Sequence, residues 1–185
     1  MTREKNSYKT LDKLWKLDDE QLKTPKHDEM LIWLLKKDNL KKIIIDKKPE
    51  ANKWDWGNVK IHAEEYIIAE NGYRVGAPDI MFSIPHYICN ECNSSHTNKD
   101  YCPNCDSENI SPWRNLREHH HRYYKNFIEI KPKINNFGAT LRQLKLYISY
   151  GFEDRAYLLT EDLRYKEEFE SQGIKVISLT KPLIK

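Results

Sequence analysis

Asn126-Phe127-Ile128-Glu129-Ile130-Lys131-Pro132 reads as a short strand. Side chains alternate along extended backbone, so Phe127, Glu129 and Lys131 share one face while Ile128 and Ile130 share the other. An acid and a base two residues apart on an otherwise apolar strand lose hydration when the strand is buried, which predicts a partner or a chemical task for the pair. Upstream, Gly76-Ala77-Pro78-Asp79-Ile80-Met81-Phe82 sets a second acid after Gly and Pro, at the head of another apolar run. The two runs predict neighbouring strands that bring Asp79 to Glu129 and Lys131.

Downstream, residues 132–137 read as a loop and 138–150 as a helix. Leu141, Leu144 and Ile148 form its buried stripe, with Gln143 and Tyr147 one turn apart on an adjoining face. A strand at 155–160, a helix at 161–172 closed by Gly173 and a strand at 175–179 follow. This alternation predicts an α/β fold in which helices cover a mixed sheet.

Upstream, residues 59–84 are strand-like, and Asn71-Gly72 predicts a hairpin with a two-residue turn. The hairpin carries Glu64 or Glu65 back toward Asp79. Strand alternation does not separate the two, and Glu65 is preferred because it directly precedes the apolar run 66–68. The lysine-rich stretch 40–57, with Pro49, Trp54, Trp56 and Gly57, reads as an exposed connection with aromatic anchors. Pro25 suits the first turn of a helix whose apolar stripe holds His27, Met30, Leu31 and Leu34. On that stripe His27 reads first as a core histidine. Residues 1–23 hold Leu11, Leu14, Trp15 and Leu22 at amphipathic-helix spacing. The chain thus divides into a helical, lysine-rich segment at 1–58 packing on a core at 59–185, with an insertion at 86–113.

That insertion has its own chemistry. Cys89 and Cys92, then Cys102 and Cys105, form two C-x2-C pairs that predict a tetrahedral Zn²⁺ site of four thiolates, structural because no position stays open. Disulfides are the rival explanation, and they require an oxidising compartment. Beyond the insertion, Arg117, His119, His120, His121, Arg122 and Lys125 interleave with Tyr123 and Tyr124. This patch reads either as a wet hairpin edge or as a phosphate-contacting surface, to which Lys133 and Arg142 add.

The 185 residues, 39% of them hydrophobic, can bury one good core and a small satellite. No apolar run reaches the roughly 18 residues of a membrane span, so a soluble, cytoplasmic protein is expected. A net charge of +3 restricts nucleic-acid binding to local basic patches.

Asp79, Glu129 and the backbone carbonyl of Ile130 offer hard oxygen ligands suited to Mg²⁺ or Mn²⁺, and Lys131 could orient and polarise an attacking water. Gly-Ala-Pro-Asp at 76–79, Ile-Glu-Ile-Lys at 128–131 and Gln143-x3-Tyr147 together resemble the PD-(D/E)xK nuclease superfamily over roughly residues 59–179. The resemblance implies a restriction-endonuclease-like core with Asp79 and Glu129 as metal ligands, Lys131 as catalytic lysine, and Gln143 and Tyr147 as the helix element that helps position the site or DNA. It also implies that His27 matches the extra metal-site histidine of RecB-like members. The inserted zinc ribbon and a first acid on a hairpin depart from the superfamily's usual pattern. The expected function is phosphodiester hydrolysis of DNA, by a monomer or homodimer. Its compact size fits a viral or mobile-element enzyme or a repair accessory. A non-catalytic binding module on the same fold and an RNA-directed nuclease are the alternatives.

Overall fold

The computed structural model describes residues 25–69, 71–112, 114–115, 120–121, 123–150 and 156–179; the helix expected within 1–23 lies outside them. Helices α1 (Pro25–Leu35) and α2 (Lys37–Lys47) lead into two 3-10 turns, Pro49–Lys53 and Trp56–Asn58. Strand β1 (Lys60–Ala63) follows, then a hairpin of β2 (Ile67–Ile68) and β3 (Arg74–Gly76), and β4 (Ile80–Pro85). The insertion holds β5 (Tyr87–Cys89), β6 (Ser95–His96) and β7 (Ile110–Pro112), which pair in the order β6-β5-β7. A short ladder of β8 (Arg114–Asn115) and β9 (His120–His121) precedes the long strand β10 (Tyr123–Ile130). Helix α3 (Phe137–Ser149), β11 (Ala156–Thr160), α4 (Lys166–Ser171) and β12 (Lys175–Ser178) complete the chain.

The main sheet is open and mixed, with strand order β1-β4-β10-β11-β12. β10 is its hinge of direction: antiparallel to β4 on one side and parallel to β11 on the other. The alternation read in the sequence sorts β10 onto two cores. Ile128 and Ile130 join Phe82, Tyr157, Leu159 and the α1–α2 layer, whereas Phe127 joins Met81, Leu144, Leu158 and Phe169 beneath α3 and α4. The chain is therefore α/β, a five-stranded sheet between two helical layers, and no described helix is long and apolar enough to cross a membrane.

Several elements differ from the sequence reading. The stretch 40–57 is not an exposed connection: Leu40, Ile43, Ile44, Ala51, Trp54 and Trp56 are buried against the sheet. The lysines of α2 alternate with these positions, and Lys42 and Lys47 are exposed on its outer face. The hairpin forms, but Ala69 N–H reaches Tyr73 C=O at 2.9 Å, and Gly72 N–H reaches Ala69 C=O at 2.8 Å. Only Gly72 of the turn pair has positive φ, +81°, so the connection is a three-residue loop with glycine at the left-handed position. The helix expected at 161–172 shortens to α4 behind a 3-10 turn, Leu163–Tyr165. On α3 the most buried side chains are Thr140, Leu144 and Tyr147, with Leu141 and Ile148 only partly covered.

Tyr157 is fully buried on β11, and its hydroxyl has no hydrogen-bond partner. An orphaned buried hydroxyl carries a desolvation penalty of about 1–3 kcal/mol, which Phe of nearly the same shape avoids. Tyr157→Phe is expected to raise the thermal midpoint or leave it unchanged, while Phe82→Ala beside it lowers stability by about 3–5 kcal/mol; a clear loss in Tyr157→Phe by calorimetry would contradict the orphaned hydroxyl.

Candidate active site and cysteine cluster

The end of β10 lies where β4 has run out. Register pairs Ile128 with Ile80, so Asp79 sits one step beyond the last paired residue of β4. Its carboxylate takes over the missing strand: Asp79 Oδ2 accepts the Ile130 amide at 2.6 Å. On the other side, Lys131 N–H donates to Leu159 C=O of β11 at 2.9 Å. Both edges of the strand end are thus fixed, one by backbone and one by a carboxylate.

Glu129 is only 2% exposed. Its Oε1 accepts from Lys131 Nζ at 2.6 Å and from Gln143 Nε2 at 2.7 Å, whereas its Oε2 is buried with no partner. Gln143 Nε2 also donates to the Tyr147 hydroxyl at 3.0 Å, and that hydroxyl donates to Ala77 C=O at 3.4 Å. A continuous hydrogen-bonded path therefore runs from the 76–79 stretch through α3 to the end of β10. Gly76 makes room for it, because a Cβ there would stand 2.7 Å from the Tyr147 ring. Burial, then the Asp79 charge, raises the pKa of Glu129 above the ordinary carboxylate value. Burial alone would lower that of Lys131, yet Glu129 and Asp79 outweigh it and keep the ammonium charged.

His27 reaches this cluster from α1. Its Nε2 lies 3.1 Å from Asp79 Oδ1, and its Nδ1 lies 3.0 Å from Asp28 Oδ1. The Asp79 contact, against the opposing effect of burial, raises its pKa to about 9. Asp79, Glu129, Lys131, Gln143, Tyr147, the Ile130 backbone and His27 are accordingly brought together. The other predicted positions contribute no side chain to this hydrogen-bonded cluster. Glu65 contacts His62 at 3.6 Å on the bend after β1, and Glu64 is exposed there at positive φ, its amide donating to Asp79 C=O at 3.1 Å. Lys125, Lys133 and Arg142 are exposed. His121 lies in β9, and Arg117, His119 and Arg122 fall outside the described residues.

Two side chains that the sequence reading passed over hold the loop after Lys131. Asp162 Oδ2 accepts the Ile134 amide at 3.1 Å, and Arg164 Nη2 donates to Ile134 C=O at 3.3 Å. The local signal was an Asp two residues before Arg164, at the cap of a 3-10 turn, where its carboxylate meets free amides. Nothing local pointed to residue 134.

In the insertion the two C-x2-C turns are built alike. Cys89 N–H donates to Ser94 C=O and Cys102 N–H to Ser107 C=O; Asn93 N–H returns to Cys89 C=O and Asp106 N–H to Cys102 C=O. Asn93 and Asp106 occupy matching left-handed positions, with φ of 57° and 55°. The four sulfurs lie within 4.8 Å of one another, Cys89 to Cys105 at 3.5 Å and Cys92 to Cys102 at 3.6 Å. Those spacings are far too long for disulfides and near the roughly 3.8 Å of a tetrahedral ion with Zn–S bonds of about 2.3 Å. The cluster could hold a metal ion such as zinc, and among the described residues it is the only group of three or more His, Cys, Asp or Glu with ligand atoms this close.

No family model matches the chain, and no curated protein or solved structure does.

The raised His27 pKa sets a pH dependence. A group whose folded pKa exceeds its unfolded value of about 6.5 stabilises fully below that value, and the contribution is lost as pH rises through about 9. In chelator-treated protein the stability difference between parent and His27→Gln should shrink by on the order of 2–3 kcal/mol between pH 6 and pH 10. Parallel denaturation curves for the two proteins across that window would refute the contact. For the cysteine cluster, native mass spectrometry should find one thiophilic ion per chain, absent in Cys89→Ser/Cys102→Ser; an apo mass for the parent protein would count against it.

Proposed function

We propose that the chain is a metal-dependent nuclease of the PD-(D/E)xK kind, hydrolysing phosphodiester bonds of DNA, with a structural zinc ribbon inserted between its second and third acidic positions. The observation that carries this reading is the Glu129 carboxylate: deeply buried, with Oε1 doubly hydrogen-bonded and Oε2 left without a donor beside a second carboxylate. An ionised oxygen without a donor in that position is costly unless a cation meets it. A hard divalent ion, which takes one or two carboxylates and keeps much of its water, fits Asp79, Glu129 and the Ile130 carbonyl. When bound, such an ion supplies charge neutralisation on the phosphate and lowers the pKa of a coordinated water.

The protein's own groups divide the remaining work. Lys131, kept cationic by the two carboxylates, orients a water for attack on phosphorus and places positive charge beside the oxygens that become more negative in the transition state. Gln143 holds Glu129 Oε1 and so fixes which oxygen stays available, and Tyr147 fixes Gln143. His27 engages Asp79 Oδ1, either as a ligand-side partner of the ion or as its replacement when the ion is gone. The exposed Lys125, Lys133 and Arg142 suit a polyanionic substrate.

With Mg²⁺ or Mn²⁺ the parent protein should cleave DNA, and Asp79→Ala, Glu129→Ala and Lys131→Ala should each lose about 10²–10³-fold or more in rate while the cysteine-bound metal persists. Salt-sensitive DNA binding with no product at any divalent ion concentration would replace the nuclease with a binding module, and cleavage of RNA alone would move the substrate.

A further inference from the structure

Beside Lys131 the molecule has a pocket of ≈ 430 Å³, within the roughly 300–1,000 Å³ range of small-molecule sites. Pro25 and Lys26 in the first turn of α1 form one wall, and Pro132, Lys133 and Asn135 of the β10–α3 loop form the other. The pocket meets the active site at His27, Ile130 and Lys131. Its lining includes three lysines and no carboxylate. Two of the three are ion-paired, Lys26 with Glu161 at the surface and Lys131 with the buried Glu129, and Lys133 has no carboxylate partner among the described residues.

The loop wall is held from behind. Asp162 and Arg164 grip the two backbone groups of Ile134, and Glu161 N–H donates to Pro132 C=O at 3.4 Å. The backbone that carries Lys131 and Lys133 is thereby braced, which leaves side-chain rotamers as the ordering cost of binding. Lys133, with the exposed Lys26 once it exchanges Glu161 for a phosphate oxygen, gives the rim its affinity for an anion, and the proline walls with a neutral amide accommodate a sugar and base. Inorganic phosphate alone would leave those walls uncovered.

We propose that this pocket is a mononucleotide subsite, in which Lys26 and Lys133 hold the phosphate and Pro25 and Pro132 pack against sugar and base of the nucleotide next to the scissile bond. The inference rests on the nuclease reading for the identity of the strand, and its test does not need cleavage. Calorimetric titration of the full chain in EDTA uses four probes: a deoxynucleoside 5′-monophosphate, the 3′-monophosphate, the nucleoside and inorganic phosphate. One of the monophosphates should bind at least about tenfold more tightly than nucleoside or phosphate. Lys26→Ala/Lys133→Ala should weaken it at least about tenfold, and Lys42→Ala, on the exposed face of α2, should not. Equal binding of phosphate and mononucleotide would overturn the nucleotide assignment, and an unchanged affinity in the double variant would overturn the location. Cleavage assays with Mn²⁺ on the same preparations separate the two readings. Lysine-dependent mononucleotide binding without cleavage leaves the subsite standing and removes the enzyme; cleavage without such binding does the reverse. A four-nucleotide oligomer adds a third arm: if only the free mononucleotide binds through the two lysines, the pocket is a product site and not a place on the strand, which also overturns the proposal.

Discussion

A carboxylate taken out of water must be met by donors or by a cation, and this molecule builds much of its architecture around one that is only half met. Glu129 sits at the end of the central strand, under α3, at 2% exposure. Two donors converge on Oε1 and none on Oε2. Burial and the neighbouring Asp79 push its pKa up, while Lys131 and Gln143 pull the other way. Structural ion pairs rarely leave an oxygen bare in this way, since the same burial with a complete donor set would cost less. The cation proposed above would complete the donor-poor side of this carboxylate.

The rest of the sheet serves to maintain that arrangement. Because β10 pairs antiparallel with β4 and parallel with β11, its end projects past the last residue of β4 and remains flanked by β11. Asp79 fills the resulting vacancy in the ladder by accepting the Ile130 amide, so one carboxylate acts as both a structural cap and a wall of the site. Gly76 lets Tyr147 approach, Tyr147 orients Gln143, and Gln143 orients Glu129. Each link is short and local in space, although the residues run from position 76 to position 147.

The parts legible in the sequence are those written in short-range periodicity. Alternation along 126–132 separates Glu129 from its apolar neighbours, and the two C-x2-C pairs announce their own cluster. Leu40, Ile43 and Ile44 of α2 keep helical spacing, but the lysines around them made 40–57 read as an exposed connection. What the sequence withholds are contacts between distant elements. His27 meets Asp79 because α1 packs across the sheet, and Asp162 meets residue 134 because β11 lies beside β10. The first acid is withheld for a related reason: Glu65 follows an edge strand whose end is a bend, and its position depends on that bend and not on strand alternation.

The cysteine lobe and the Asp79–Glu129 cluster share a support, which bears on why the lobe interrupts the sheet where it does. Asp55, 6% exposed, accepts from the Tyr87 hydroxyl of β5 at 2.5 Å and from Asn58 at 2.7 Å. These bonds overcome the opposing effect of burial and keep its pKa below the usual value, so it is a satisfied, ionised anchor, unlike Glu129. A backbone bridge from Trp54 to Asn98 and a Lys53–Tyr101 hydrogen bond tie the lobe to the same segment. That segment continues from α1 and α2, and α1 carries His27 into the site. The lobe is thus fastened to the layer that covers the sheet opposite α3, so its position and that of His27 are set by one packed surface. The loop after Lys131 is braced separately, from the opposite edge, by Asp162 and Arg164.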